Sequence, residues 1–287
     1  MLTAVRATLT VILVGYRWLL CYKFYNLKDI AASLDKREGK RTKPARWIYC
    51  LIFISIFFQV LAVLYASLFP AFGTRILYGI KLTSLSAIVY IIIHKIQSAV
   101  LYMLPITTFS IFYVSICTQI RSELVSFQNL LSTKTILNYE GSLKAFSCIK
   151  TRVEAIDKEV SFLIFCSIVH TSSTMYYLLH VAFDPDYNKS SKLIEIILSF
   201  LFNSAIFFVS TVSASMVGET SQEIASTVRS LTAPSVATGV SLQRFLFVVE
   251  KDICLTVWKI VPIRRNFIIG TMGAILTYSA LFHGLNV

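Results

Sequence analysis

Few residues in this chain have the types and spacing that reactive chemistry needs. The sequence holds four histidines and 15 acidic residues. It has no HExxH, no GxSxG, no phosphate-binding Gly-rich loop and no GxGxxG. The histidines have no matching acids beside them, so no catalytic residue, metal site or cofactor is assigned. Six cysteines (Cys21, Cys50, Cys117, Cys148, Cys166, Cys254) show no CxxC spacing and mostly fall in or beside apolar blocks. They read as small packing residues rather than zinc ligands or a disulfide framework. Ionisable groups well inside apolar blocks are limited to Arg17, His170 and His283. Arg17 can snorkel to an interface, and a neutral His170 can bond a neighbouring helix. Glu195, Glu219 and Glu223 stand at block ends, so the buried carboxylates of ion-coupled transport are missing.

The other chemically suggestive stretch is GTMGAILTYSALFHGL, residues 270–285, which carries no formal charge. At about 100° per residue, Gly270, Gly273, Ala274, Thr277, Leu281 and Gly284 fall in one arc of about 100°. Ile275, Leu276, Tyr278 and Phe282 fall outside it. Such a face has two physical uses. It lets two helices approach closely, as small-xxx-small pairs do. It can equally line a lumen, with Thr277 offering a hydroxyl and Leu281 a dewetting constriction. Periodicity alone does not choose between them.

The elements that position these residues follow from composition. The chain has 287 residues, 56% of them apolar and 15% charged, with mean hydropathy +0.70. Soluble domains are nearer a quarter charged. Six apolar blocks, roughly 7–25, 47–69, 98–118, 161–183, 193–217 and 266–285, have the length of bilayer-spanning helices. The expected fold class is therefore an all-α, polytopic transmembrane bundle. A further apolar stretch, 82–93, adjoins the third block. Treating 82–118 as one crossing puts 19 Lys and Arg in loops 26–46, 119–160 and 218–265, against 4 in 70–81 and 184–192. Two crossings would split them 14 to 10. The positive-inside rule selects the single crossing, with basic loops cytoplasmic and the C-terminus extracellular. Asn188 begins a glycosylation sequon in the loop placed outside. An N-terminus translocated without a cleavable signal leads to the expectation of an earlier span ahead of Met1.

The net charge of +12 lies between the apolar blocks, which fits lipid headgroups and topology rather than nucleic acid. In the cytoplasmic segments, Leu143, Phe146, Ile149, Val153, Ile156 and Val160 recur at spacings of three and four. The pattern predicts an amphipathic helix running into the fourth block. Leu242, Phe245, Leu246, Val249, Ile253 and Val257 predict a second over 241–258. Pro262 breaks that run, and Arg264–Arg265 mark the inner edge of the last span.

The C-terminal stretch LTVWKIVPIRRNFIIGTMGAILTYSALFHGL resembles the end of arthropod gustatory receptors, chemosensory proteins related to insect odorant receptors. Their signature is Thr-Tyr, five mostly apolar residues and Gln-Phe. Here Thr277-Tyr278 is present and Gly284-Leu285 replaces Gln-Phe. The resemblance covers roughly 119–287 and implies seven spans, the six blocks being the second to seventh. It implies a multi-pass plasma-membrane chemoreceptor, one transmembrane domain over 1–287, and a tetrameric ligand-gated channel for cations. Cytoplasmic anchor helices at about 119–160 and 241–265 would hold the subunits, which are copies of this chain or related receptors. The helix at about 266–285 would line the pore through Gly273, Thr277, Leu281 and Gly284, with Leu281 as gate. The ligand would be a small tastant held in the outer half of the bundle, where depth selects Tyr65, Phe69, Tyr102, Tyr177, His180 and Phe200. Two other readings stay open. A G-protein-coupled-type receptor needs loops 119–160 and 218–265 outside, and a non-conducting or truncated membrane protein would lack current altogether.

Overall fold

A computed structural model describes residues 104–133, 139–183, 190–230 and 236–285, with 14–16, 18–20, 22–23, 89 and 93. Most of the first apolar block, Arg17, the block at 47–69 and loop 26–46 lie outside the described residues, as do Tyr65, Phe69, Tyr102 and Asn188. The described part is α-helical apart from one small hairpin. Its helices are α1 (Leu104–Thr133), α2 (Tyr139–Phe183), α3 (Ser190–Arg229), α4 (Val236–Val249) and α5 (Arg265–Leu285), with strands β1 (Thr256–Val257) and β2 (Val261–Pro262) between the last two.

The amphipathic segment before the fourth block and the block itself form one helix, α2, of 45 residues. No proline interrupts it, and Pro185 follows just past its end. Its first half buries Phe146, Val153, Ile156 and Val160, the face that the periodicity marks out. Helix α3, of 40 residues, likewise continues past the apolar block to Arg229. Both contain stretches long and apolar enough to cross a membrane. Helix α5, of 21 residues, has the length of a bilayer-spanning helix.

Helix α3 packs against α1 and α2, and α2 also carries α4, α5 and β1. The core runs continuously from the apolar blocks, around Phe109, Leu163, Ile168 and Phe207, to the amphipathic segments around Leu124, Val153 and Ile224. At that second end Phe127, Phe146 and Phe245 meet from three helices. Their ring centroids are 5.7 Å apart for the first pair and 6.4 Å for each contact with Phe245.

The second amphipathic segment departs from its predicted form. The helix stops at Val249, not at 258, and the chain goes on extended into β1. The predicted apolar residues are nonetheless buried, Ile253 and Val257 among them, except that Leu246 is only partly so. Beyond residue 252 burial alternates, with Ile253, Leu255 and Val257 in the core. That is the period of a strand rather than a helix, and the Leu-Thr-Val-Trp run suits a pleated surface. Pro262 does not simply end a helix. It sits in β2, opposite Thr256, on a two-stranded ribbon that can tolerate its missing N–H. The hairpin turn is closed by the Ile260 N–H donating to Val257 O at 3.0 Å. Trp258 and Lys259 adopt φ of 50° and 57°, as a mirror-image turn requires at both central positions. For residues with a Cβ this costs roughly 1–2 kcal/mol each.

Candidate functional site

Helix α5 has two opposite faces. Ile268, Ile275 and Ser279 are buried against the chain's own bundle. Gly270, Gly273, Ala274, Thr277 and Leu281 are all exposed. On an ideal helix the centres of the two groups lie about 170° apart. A Cβ added at Gly270 or Gly273 would meet nothing within 4 Å. Among the described residues, therefore, nothing packs closely on these glycines. Hydroxyls follow the same division. Ser279 donates to Ile275 O at 2.7 Å on the packed face, and Thr271 donates to Phe267 O at 2.8 Å, whereas the Thr277 side chain stands on the open face. Tyr278 is exposed beside that face. Gly284 lies in the last turn of the helix.

The inner end of α5 is tied to the bundle by charge and hydrogen bonds. Arg265 makes a two-point contact with Glu219 of α3 at 2.6 and 2.7 Å. Arg264 meets Asp252 at 3.0 Å, and Gln222 of α3 donates to the same carboxylate oxygen. The Ile253 N–H donates to Ser221 Oγ at 2.9 Å. Asp157 of α2 takes the Thr256 N–H at 2.8 Å and the Thr256 hydroxyl at 2.6 Å. Burial raises the carboxyl pKa of Asp157, the bonds from Thr256 and the charge of Lys259 oppose that rise, and the net direction is upward. Asp157 was not singled out from the sequence, although it falls four residues after Val153 on the apolar face of α2. An acid on such a face is the signal that could have found it.

At membrane level the bundle interior is polar in places. Tyr16, Ser110, Tyr113, His170, Ser172, Thr174 and Ser210 each carry a buried side-chain atom without a hydrogen-bond partner among the described residues. The Ser204 hydroxyl lies 3.1 Å from Met175 Sδ. Of the expected ligand-pocket residues, Tyr177 and His180 are partly buried on α2, and Phe200 on α3 packs against the core. The ring contact at His180 comes from Tyr176, with centroids 6.5 Å apart; the sequence reading passed over this residue. Among the described cysteines, Cys117 is buried as expected, but Cys148 is exposed on the cytoplasmic part of α2.

No family model and no curated protein matches the sequence. Solved structures do match the fold. The insect olfactory receptor OR5 from Machilis hrabei aligns over 98% of this chain and 81% of its own, with TM-score 0.65 and 12% identity. The same receptor in complex with eugenol aligns over 94% of this chain and 70% of its own, with TM-score 0.64 and 13% identity. The fold is that of an insect olfactory receptor. It is an all-α membrane fold. The resemblance read from the C-terminus thus stands at the level of the insect chemoreceptor fold, and the gustatory assignment is finer than this likeness reaches.

Proposed function

We propose that this chain is a chemoreceptor subunit of the gustatory type, forming a ligand-gated cation channel in the plasma membrane that opens to small tastant molecules. The observation that carries this reading is the orientation of α5, whose Gly270, Gly273, Ala274, Thr277 and Leu281 face is open and opposite the packed face. Four copies, of this chain or of related subunits, would bring those faces around one axis. Small side chains leave a lumen there, Thr277 supplies a hydroxyl to a passing cation, and Leu281 forms the constriction that closes by dewetting. Gly284 takes the place where a Gln would add a polar ring, so this pore has a wider and less polar outer mouth. The OR5 complex with eugenol supports a small-molecule ligand. The buried hydroxyls of Ser110, Tyr113 and Ser210 and the imidazole of His170 supply hydrogen-bonding groups within a largely apolar bundle.

Expression alone and with related subunits is expected to give a tastant-dependent cation current. Leu281→Ala, which widens the constriction, is expected to leave current flowing without ligand. Protein that reaches the cell surface and passes no current with any tastant would overturn the reading.

A further inference from the structure

The hairpin between α4 and α5 carries an exposed tip of unusual composition. A turn with two positive φ values is ordinarily made with Asn or Gly, yet here Trp258 and Lys259 occupy those positions and Ile260 follows. Trp258 is 50% and Ile260 71% exposed, and Lys259 is exposed as well. All three side chains are exposed at the tip, although the turn strains residues that carry a Cβ.

Neighbouring contacts fix the level of the tip. The Trp258 N–H donates to Ser161 O at 3.0 Å. Its ring lies against Phe162 and Phe165, with centroid distances of 5.5 and 5.0 Å. These residues open the membrane-level part of α2. Nearby chain positions carry the charges of a cytoplasmic boundary. Lys23 pairs with Glu159 at 3.3 Å, and Arg265 pairs with Glu219. The tip therefore sits where the basic, cytoplasmic side of the bundle meets the hydrocarbon.

We propose that Trp258–Lys259–Ile260 is a lipid anchor in the inner leaflet. Trp258 and Ile260 enter the boundary between headgroups and acyl chains, and Lys259 binds the phosphate of an anionic headgroup. An indole, a lysine and a branched aliphatic side chain together match the chemistry of that layer. Lysine is depleted from the buried centres of protein–protein interfaces, which favours lipid over another copy of the chain. The open face of α5 leads to the same choice, since it points away from α2, on which the tip rests. The anchor holds the inner end of α5 at a fixed depth and makes that depth sensitive to the charge of the leaflet.

The chain has three tryptophans, so the full-length protein carrying Trp18→Phe and Trp47→Phe reports on Trp258 alone. It is reconstituted into vesicles of phosphatidylcholine with and without phosphatidylserine. Bromines near the top of the acyl chains are expected to quench Trp258 more than bromines near the bilayer centre, and aqueous iodide to quench it little. Strong iodide quenching without bromine quenching would place the tip in water. Quenching by neither would place it inside a protein contact. Either result overturns the anchor. Lys259→Glu, on a side chain outside the core, is expected to shift Trp258 towards iodide selectively in phosphatidylserine vesicles. No shift would remove the headgroup contact from the proposal. None of these readouts needs the channel to conduct, so the anchor and the proposed function can fail separately.

Discussion

In the part of the bundle built from the amphipathic segments, several charged groups among the described residues are paired. Arg152 reaches both carboxylate oxygens of Glu123, Arg229 meets Glu250, Arg264 meets Asp252 and Thr256 fills both oxygens of Asp157. Three phenylalanines close the centre. At membrane level the pattern reverses. The buried side-chain atoms without a partner among the described residues, from Tyr16 to Ser210, all belong to the first, third, fourth and fifth apolar blocks. A buried polar group is held by a partner or by a small molecule that reaches it. The two regions therefore differ in how completely the described residues answer their buried polar groups.

The most severe way to break this comparison is Phe245→Ala. It empties the centre of the phenylalanine cluster and is expected to cost about 3–5 kcal/mol, read as a large drop in the melting temperature of detergent-solubilised protein. A loss below about 1 kcal/mol would mean that the cluster does not hold the anchor together. Next comes Asp157→Ala, which strands the Thr256 amide and hydroxyl in a buried site at a cost of roughly 1–3 kcal/mol. Asp157→Asn keeps one acceptor for the amide and should lose less in the same melt. Tyr113→Phe sharpens the other side. Among the described residues its hydroxyl meets no stronger partner than the Cys117 thiol, so stability should change by about 1 kcal/mol or less, while the ligand concentration for half-maximal current moves. A larger loss of stability would show that the hydroxyl is held within the protein, and the contrast between the two regions would weaken.

Much of this was legible from the residues. Apolar blocks and charge asymmetry predicted an all-α membrane bundle, and the spacing of Phe146, Val153, Ile156 and Val160 gave the buried face of α2 correctly. The small face of α5 was also visible. What periodicity could not supply was its direction, because a helical wheel shows that residues share a face and not what that face meets. The end of α4 failed for a related reason. Spacings of four connect Val249, Ile253 and Val257, and those spacings suit both a helix and the even steps of a strand. Leu255, between the last two, was the residue that distinguished them. The clasp at Asp157 joins residues 99 positions apart, a separation no local pattern encodes. The expected contributions of Tyr65, Phe69 and Tyr102 lie outside the described residues, which leaves Tyr177 and His180 on α2 and Phe200 on α3.

Helix α2 has a mechanical consequence. Its 45 residues make a single rod of about 68 Å at 1.5 Å per residue. Asp157 grips the hairpin part-way along, leaving about 39 Å of rod on the outer side and about 27 Å on the inner. A tilt of about 3° around that grip carries the outer end by about 2 Å and the inner end by about 1.4 Å in the opposite sense. The rod is therefore a lever with its fulcrum beside the segment that feeds α5. A tilt about that grip moves the two ends of the rod in opposite senses and leaves the hairpin that leads into α5 almost still.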